Sequence, residues 1–248
     1  MLSIDLNCDM GEGCPFDSEL MKYISSVNIA CGAHAGDDLT MRRTVELAAE
    51  YNVAIGAHPG YPDKANFGRN EMSFSDNELQ TLISDQILKL RGICDTVGAV
   101  LSHVKPHGAL YNRSARDQGT ARIVAMAVGG IDPELVLYGL SGSHSIKEAE
   151  RAGLRAASEV FADRTYCPDG SLTPRSRANA LITDPRIAAE QALSMAADGE
   201  IKLADGSKIG VRADTICVHG DGEDPIAIVR AIREMMLINN IIIRAINV

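Results

Sequence analysis

The sequence predicts an α/β fold, a closed (β/α) barrel of seven or eight strands that is TIM-like, with one strand irregular or missing. Three observations predict it. Short apolar runs rich in Val, Ile and Leu recur along the 248 residues, as the strands of a parallel sheet covered on its outer face do. Helical patterns separate those runs, and this alternation in a chain of this size favours a barrel over the alternative, an open doubly wound sheet. Reactive side chains follow the runs on their C-terminal side, where the separate loops of a parallel β/α fold converge.

The elements can be justified in order. SIDLN (3–7) is the first strand and leads through Asn7 to Asp9, Gly11 and Glu12. VNIAC (27–31) leads to His34, Gly36 and Asp37, and VAIGAH (53–58) to His58 and Asp63. Ser75 followed by Glu78 forms a capping-box pattern, behind which Leu79, Leu82, Ile83, Ile87, Leu90, Cys94 and Val97 line one helical stripe. AVLSHVK (99–105) ends in Lys105, with His107 just beyond, and ELVLYGL (134–140) is the fifth run. AASEVFA (156–162), a weaker strand signal, carries Glu159 and is followed by Asp163 and Arg164. Asp184-Pro185 and Asp224-Pro225 each pair an N-cap residue with proline at the first helical position. IKLADGSKIGV (201–211) breaks the alternation: two strand-like pieces flank Asp205-Gly206, a two-residue hairpin signal, and predict an antiparallel excursion. TICVHG (215–220) ends in His219 and Gly220, with Asp221 next, and IIIRAI (241–246) is the last run. No linker interrupts the alternation, so residues 1–248 are expected to form a single barrel domain.

A formal charge of −9 argues against binding to nucleic acid or anionic membranes, which rely on clustered Lys and Arg. No apolar run approaches the length of a membrane span, and MLSIDLNCDMGEG lacks the basic and apolar regions of a signal peptide. A cytoplasmic location is therefore expected, with the six cysteines reduced and mostly filling space.

A histidine at a strand end is in general more often a hydrogen-bonded structural residue than a ligand or base. Here His34, His58, His107 and His219 follow four different strands, each near an acid or lysine in sequence, which favours at least two of them lining a shared site. His103, inside its run, and His144, near a helix start, belong with the structural histidines. Asp5, facing the interior, needs a cation or hydrogen-bond donors, unless it lies at the rim. Lys105 has three readings: an electrophile for a carbonyl or phosphoryl oxygen, a base or nucleophile with a depressed pKa, or the partner of Glu159 or an aspartate in a structural ion pair. Arg69 and Arg175 can each grip a carboxylate through a bidentate fork. No P-loop, GxSxG elbow, HExxH helix or GxGxxG fingerprint occurs. A zinc site through His34, His58 or His219 stays open, because ligands from separate strands need no compact spacing.

DLNCDMGEG (5–13), NIACGAHAGD (28–37), GAHPGYPD (56–63), FGR (67–69), VKPHGALYN (104–112), EVFADRTYCPDGSLTPRS (159–176) and CVHGD (217–221) together resemble the LamB/YcsF family across nearly the whole chain. The resemblance implies a barrel similar to that of glycoside hydrolases and polysaccharide deacetylases. It also implies the A-subunit role in an ATP-dependent 5-oxoprolinase. That reaction cleaves 5-oxo-L-proline (pyroglutamate) to L-glutamate with hydrolysis of ATP to ADP and phosphate, together with B and C subunits. ATP, with Mg²⁺, would then be bound mainly through a partner subunit. On this footing Asp9, Glu12, Lys105, His107, Glu159 and Asp163 are the expected catalytic residues. Asp9 or Glu12 would act as base with His107, and Lys105 would steady phosphoryl or oxyanion charge. Asn7, His34, His58, Arg69, Arg164, Arg175, His219 and Asp221 are expected to bind substrate, Arg175 through the substrate carboxylate. The chain departs from the family pattern at Asn179, where a glycine is expected; asparagine tolerates positive φ, so the turn is expected to survive. Two rival readings remain, a metal-dependent deacetylase or amidohydrolase and a non-catalytic scaffold subunit.

Overall fold

The structure, a computed structural model, describes residues 2–246. The chain runs β1 (Ser3–Met10), α1 (Asp17–Leu20), β2 (Ser26–Ala30), α2 (Asp38–Glu50), β3 (Ala54–His58), α3 (Asp76–Val97) and β4 (Leu101–Val104). It continues through α4 (Gly108–Arg116), α5 (Gln118–Ile131), β5 (Val136–Leu140), α6 (His144–Arg151), β6 (Ala156–Phe161) and α7 (Pro185–Leu193). The last elements are β7 (Glu200–Lys202), β8 (Lys208–Gly210), β9 (Thr215–Cys217), α8 (Pro225–Ile238) and β10 (Ile242–Ile243).

Seven parallel strands, β1 to β6 and β9, close into a barrel through the pairing of β9 with β1. Of the predicted run IIIRAI only two residues form a strand, β10, and they pair with the start of β1 outside the ring. The expected irregularity lies between β6 and β9, which pair directly. There a long loop, α7 and the β7–β8 hairpin occupy the chain where an eightfold barrel would place another strand. The hairpin is antiparallel as expected, but Asp205-Gly206 does not form a two-residue turn. Lys202 pairs with Lys208, leaving a five-residue connection in which Leu203 N–H donates to Ser207 C=O and Asp205 Oδ1 accepts from Ser207 N–H.

The helix starts follow the sequence signals. Ser75 and Glu78 form a complete capping box at α3, and Asp184 and Asp224 cap α7 and α8 ahead of proline. Such caps satisfy N–H groups that have no partner inside the helix. Asn179 is not among the described residues with positive φ, so no left-handed turn is needed there; its carbonyl accepts from Thr165 Oγ1.

Along β1 the side chains alternate between two environments. Leu6, Cys8 and Met10 point outward into the hydrophobic core, with Val27, Ile29, Val160 and Ile216 from neighbouring strands. Asp5, Asn7 and Asp9 point inward and hydrogen-bond to inward residues of other strands. The barrel therefore carries its apolar core between sheet and helices and a polar column along its axis, closed at the lower end by Val136, Tyr138 and Ala157. The column crowds one position into glycine: a Cβ on Gly56 would stand 2.1 Å from His103 Nε2. All six cysteines are free. No described helix is long and apolar enough to cross a membrane.

Candidate active site

A cavity of about 1450 Å³ opens at the C-terminal ends of the strands. Asp9, Glu12, His58, Arg69, Lys105, His107, Arg164, Arg175, His219 and Asp221 line it. Four other expected site residues, Asn7, His34, Glu159 and Asp163, are buried behind that lining and reach it only through their partners. His144, assigned from sequence to the structural histidines, instead borders the cavity.

The floor is built on Lys105. Its Nζ lies 2.9 Å from Asp9 Oδ1 and 2.8 Å from Glu159 Oε1, with Asn7 Oδ1 at 3.3 Å and Cys217 Sγ at 3.1 Å. Burial alone would depress the lysine pKa, but Asp9, Cys217 and Glu159 hold it well above its ordinary value. The reading of Lys105 as a neutral base or nucleophile is thus excluded, and the ion pair is real: Lys105 is a fixed ammonium at the cavity floor. Burial likewise opposes ionisation of Asp9, yet His58 and Lys105 pull its pKa well below the usual carboxylate range. Beneath them Asn7 bridges Glu159 and Thr215, and Asn28 donates to both Asn7 and Asp9. Asn7, expected to bind substrate, is fully buried in this scaffold, and Glu159, expected to be catalytic, acts by positioning Lys105.

On one wall Glu12, His34, His58 and His107 converge. His34 and His107 stack with centroids 3.7 Å apart and ring planes 2° from parallel, and His58 meets both edge-on. Glu12 Oε1 lies 3.0 Å from His34 Nε2, and despite burial its hydrogen bonds with His107 and His34 bring its pKa down to about 2. Burial pushes His34 down to about 4. Gly68 makes the packing possible: its φ is +64°, and a Cβ there would stand 2.8 Å from His34 Cβ and 2.9 Å from His107 Cδ2. Metal-capable donor atoms gather at two places, Glu12–His34–His58–His107 and Asp9–Cys217–His219. His219, grouped from sequence with His34 and His58 as a metal candidate, is not part of their cluster.

Opposite, Asp163 and His219 form a dyad. Asp163 accepts from His219 Nδ1 at 2.9 Å and from its backbone N–H at 2.9 Å, and Phe161 stacks on the ring. His219 Nε2 has no hydrogen-bond partner among the described residues. Asp163, despite its burial, is held below the usual carboxylate range by His219.

At the mouth Asp221 Oδ2 accepts from Arg69 at 2.8 Å and Arg175 at 3.3 Å. Two guanidinium groups share one carboxylate, so one positive charge remains for an anion entering the cavity. Arg164, expected to bind substrate, is committed elsewhere: its guanidinium donates to the carbonyls of Thr173 and Ala180 and pins the loop that carries Arg175.

Sequence reasoning missed Asn28, Thr215 and Cys217. The signal that could have found them is parity. A polar residue two or four positions before a strand-end functional residue faces the same way, as Asn7 does before Asp9 and Cys217 before His219.

The LamB/YcsF family pattern matches residues 4–248. The A subunit of a 5-oxoprolinase from Geobacillus kaustophilus is 48% identical over 99% of this chain and 97% of its own length. The solved structure of a lactam utilization protein from Thermus thermophilus is 41% identical, with a TM-score of 0.92 over 99% of this chain and 100% of that one. A family 4 carbohydrate esterase from Streptomyces lividans shares the fold alone, at 9% identity and a TM-score of 0.50 over 99% of this chain and 93% of its own.

Proposed function

The chain belongs to the LamB/YcsF family, and on that premise we propose that it is the A subunit of an ATP-dependent 5-oxoprolinase. As one cytoplasmic barrel domain it opens 5-oxo-L-proline to L-glutamate together with B and C subunits. The observation that carries the proposal is near-full-length identity to a protein of that name. The cavity chemistry supports it.

A five-membered lactam is a weak electrophile that readily recloses, so its opening needs activation. Transfer of the γ-phosphoryl group of ATP to the ring carbonyl oxygen supplies this and releases ADP. The chain has no glycine-rich phosphate loop, so ATP and its Mg²⁺ belong mainly to a partner subunit. The activated ring then enters this cavity. Water adds to the ring carbon, the carbon–nitrogen bond breaks, the nitrogen takes up a proton, and a second water releases phosphate from the acyl phosphate.

His219, oriented by Asp163 and with Nε2 unengaged, is the residue best placed to take the proton from water. This replaces the base pair of Glu12 and His107 expected from sequence, whose donor atoms face one another rather than solvent. Lys105 steadies the negative charge that develops on phosphoryl and oxyanion oxygens. Arg175 and Arg69 hold the substrate carboxylate.

The test is glutamate release from 5-oxoproline and ATP with this chain alone, with B and C subunits alone, and with all three. Glutamate is expected only from the full mixture. Full activity from the chain alone overturns the division of labour, and no release from any mixture of folded subunits overturns the reaction.

A further inference from the structure

We infer that Glu12, His34, His58 and His107 form a binding site for a divalent transition metal, with zinc the best-matched ion. The inference stands apart from the proposed reaction, because it rests on the donor atoms alone.

The hydrogen positions come first. His58 Nδ1 lies 2.7 Å from the carbonyl oxygen of Lys105, and His107 Nε2 lies 2.8 Å from that of Phe67. A carbonyl oxygen can only accept, so these two nitrogens carry the hydrogens. That leaves His58 Nε2 and His107 Nδ1 as bare lone pairs facing each other at 3.0 Å. Glu12 Oε1 faces the same point, 3.3 Å from His107 Nδ1, 3.8 Å from His58 Nε2 and 3.0 Å from His34 Nε2. One shared proton relieves one of these contacts, whereas a single cation at the centre relieves all of them.

Spacing and charge agree with a cation. A tetrahedral zinc with nitrogen and oxygen ligands at about 2.0–2.1 Å has ligand-to-ligand edges of about 3.3 Å, which the four separations bracket. The second-shell carbonyls on His58 and His107 are the tethers that metal-bound imidazoles normally have. His34 lacks one, since its Nδ1 is buried without a partner, so it is the most dispensable ligand. Nearby, the carboxylates of Asp9, Glu12 and Glu159 face only one ammonium, that of Lys105, leaving one buried negative charge uncompensated. An imidazole-rich donor set suits zinc and its neighbours rather than magnesium or calcium. The other cluster, Asp9–Cys217–His219, is the poorer place for a cation, because Cys217 Sγ lies 3.1 Å from the Lys105 ammonium.

The experiment uses the full chain, stripped with a chelator, reloaded with zinc alone and desalted. Stoichiometric zinc is expected by elemental analysis, and the zinc-edge absorption spectrum is expected to give nitrogen and oxygen ligands near about 2.0 Å without sulfur. Glu12→Gln and His58→Gln are each expected to lower retained zinc at least about tenfold, and His219→Ala to retain it in full. Native protein that retains no zinc, a shell containing sulfur, or undiminished zinc in both glutamine variants overturns the site. If the variants misfold, the native spectrum still decides. The readout uses no substrate or partner, so its failure and the failure of glutamate release are separate results.

Discussion

Asp5 and Asp9 lie on the same strand, on the same face, inside the same barrel, yet their ionisation is shifted in opposite directions. Burial raises the pKa of both. Around Asp5 stand four hydroxyls, Ser25, Ser26, Tyr138 and Thr215, at 2.6–3.0 Å. They lower the pKa by less than burial raises it. Around Asp9 stand His58 and Lys105, which more than reverse the same penalty. Burial sets the cost of a charge, and the charge of the partners decides whether it is met.

Removing the partner breaks the contrast most sharply. Lys105→Met leaves Asp9 and Glu159 with no ammonium between them. It is expected to lower unfolding free energy by about 3–5 kcal/mol in denaturant titrations and to slow glutamate release by the assembled enzyme at least about 10³-fold. An unchanged titration would show that Asp9 does not depend on Lys105.

Next in size is the test of whether the upper, charged end of the column performs proton transfer. His219→Asn is expected to cost about 10²-fold in kcat and to remove one limb of the pH–rate profile, and Asp163→Asn to shift that limb with a smaller loss. A retained limb in His219→Asn would assign the base elsewhere.

His103 separates the two levels and sharpens the comparison through pH. Burial pushes its pKa from 6.5 down to about 3. Below its unfolded value the unfolded chain therefore binds the extra proton, and stability falls as pH falls from 6.5 toward 3. From pH 7 to pH 5 this one group accounts for a loss of about 2 kcal/mol. Urea titrations at the two pH values are expected to show that difference shrink by this amount in His103→Gln. Glu12 works in a lower window: its folded pKa of about 2 gives stability that is present above its unfolded value of 4.5 and lost as pH falls from there.

The smallest effect belongs to Asp5. Asp5→Asn keeps the shape and disturbs only the hydroxyl cradle, so a loss of about 1–2 kcal/mol is expected, with glutamate release unchanged. Lost activity without lost stability would mean that the lower end of the column does couple to the cavity.

The sequence made the barrel legible because its signals are local: the capping box at Ser75 and Glu78, the Asp-Pro starts at residues 184 and 224, and the recurrent apolar runs. It also made legible that strand-end residues would meet, since parallel topology sends those ends to one rim. It could not sort them by depth. Asn7 and Glu159 look like Asp9 and Asp163 in sequence, but their strand register sets them below the cavity, where they position Lys105. Nor could it tell which histidine joins His34 and His58. That depends on the close approach of Gly68 to the His34–His107 stack, a tertiary contact with no local signature. Arg164 and Arg175 are likewise indistinguishable until the loop carbonyls claim one of them.

The seam between β1 and β9 has a consequence for how the molecule is made. Thr215 closes on Asp5 across 210 positions of chain, so a ribosome must deliver most of the protein before the ring can shut. Until then the axial aspartates, asparagines and lysine stay hydrated, and early strands carry polar edges that water satisfies. Docking the last strand expels that water in one step. Completion of the ring and desolvation of its charges are thus a single late event, driven by long-range contacts whose closure entropy is met only at the end.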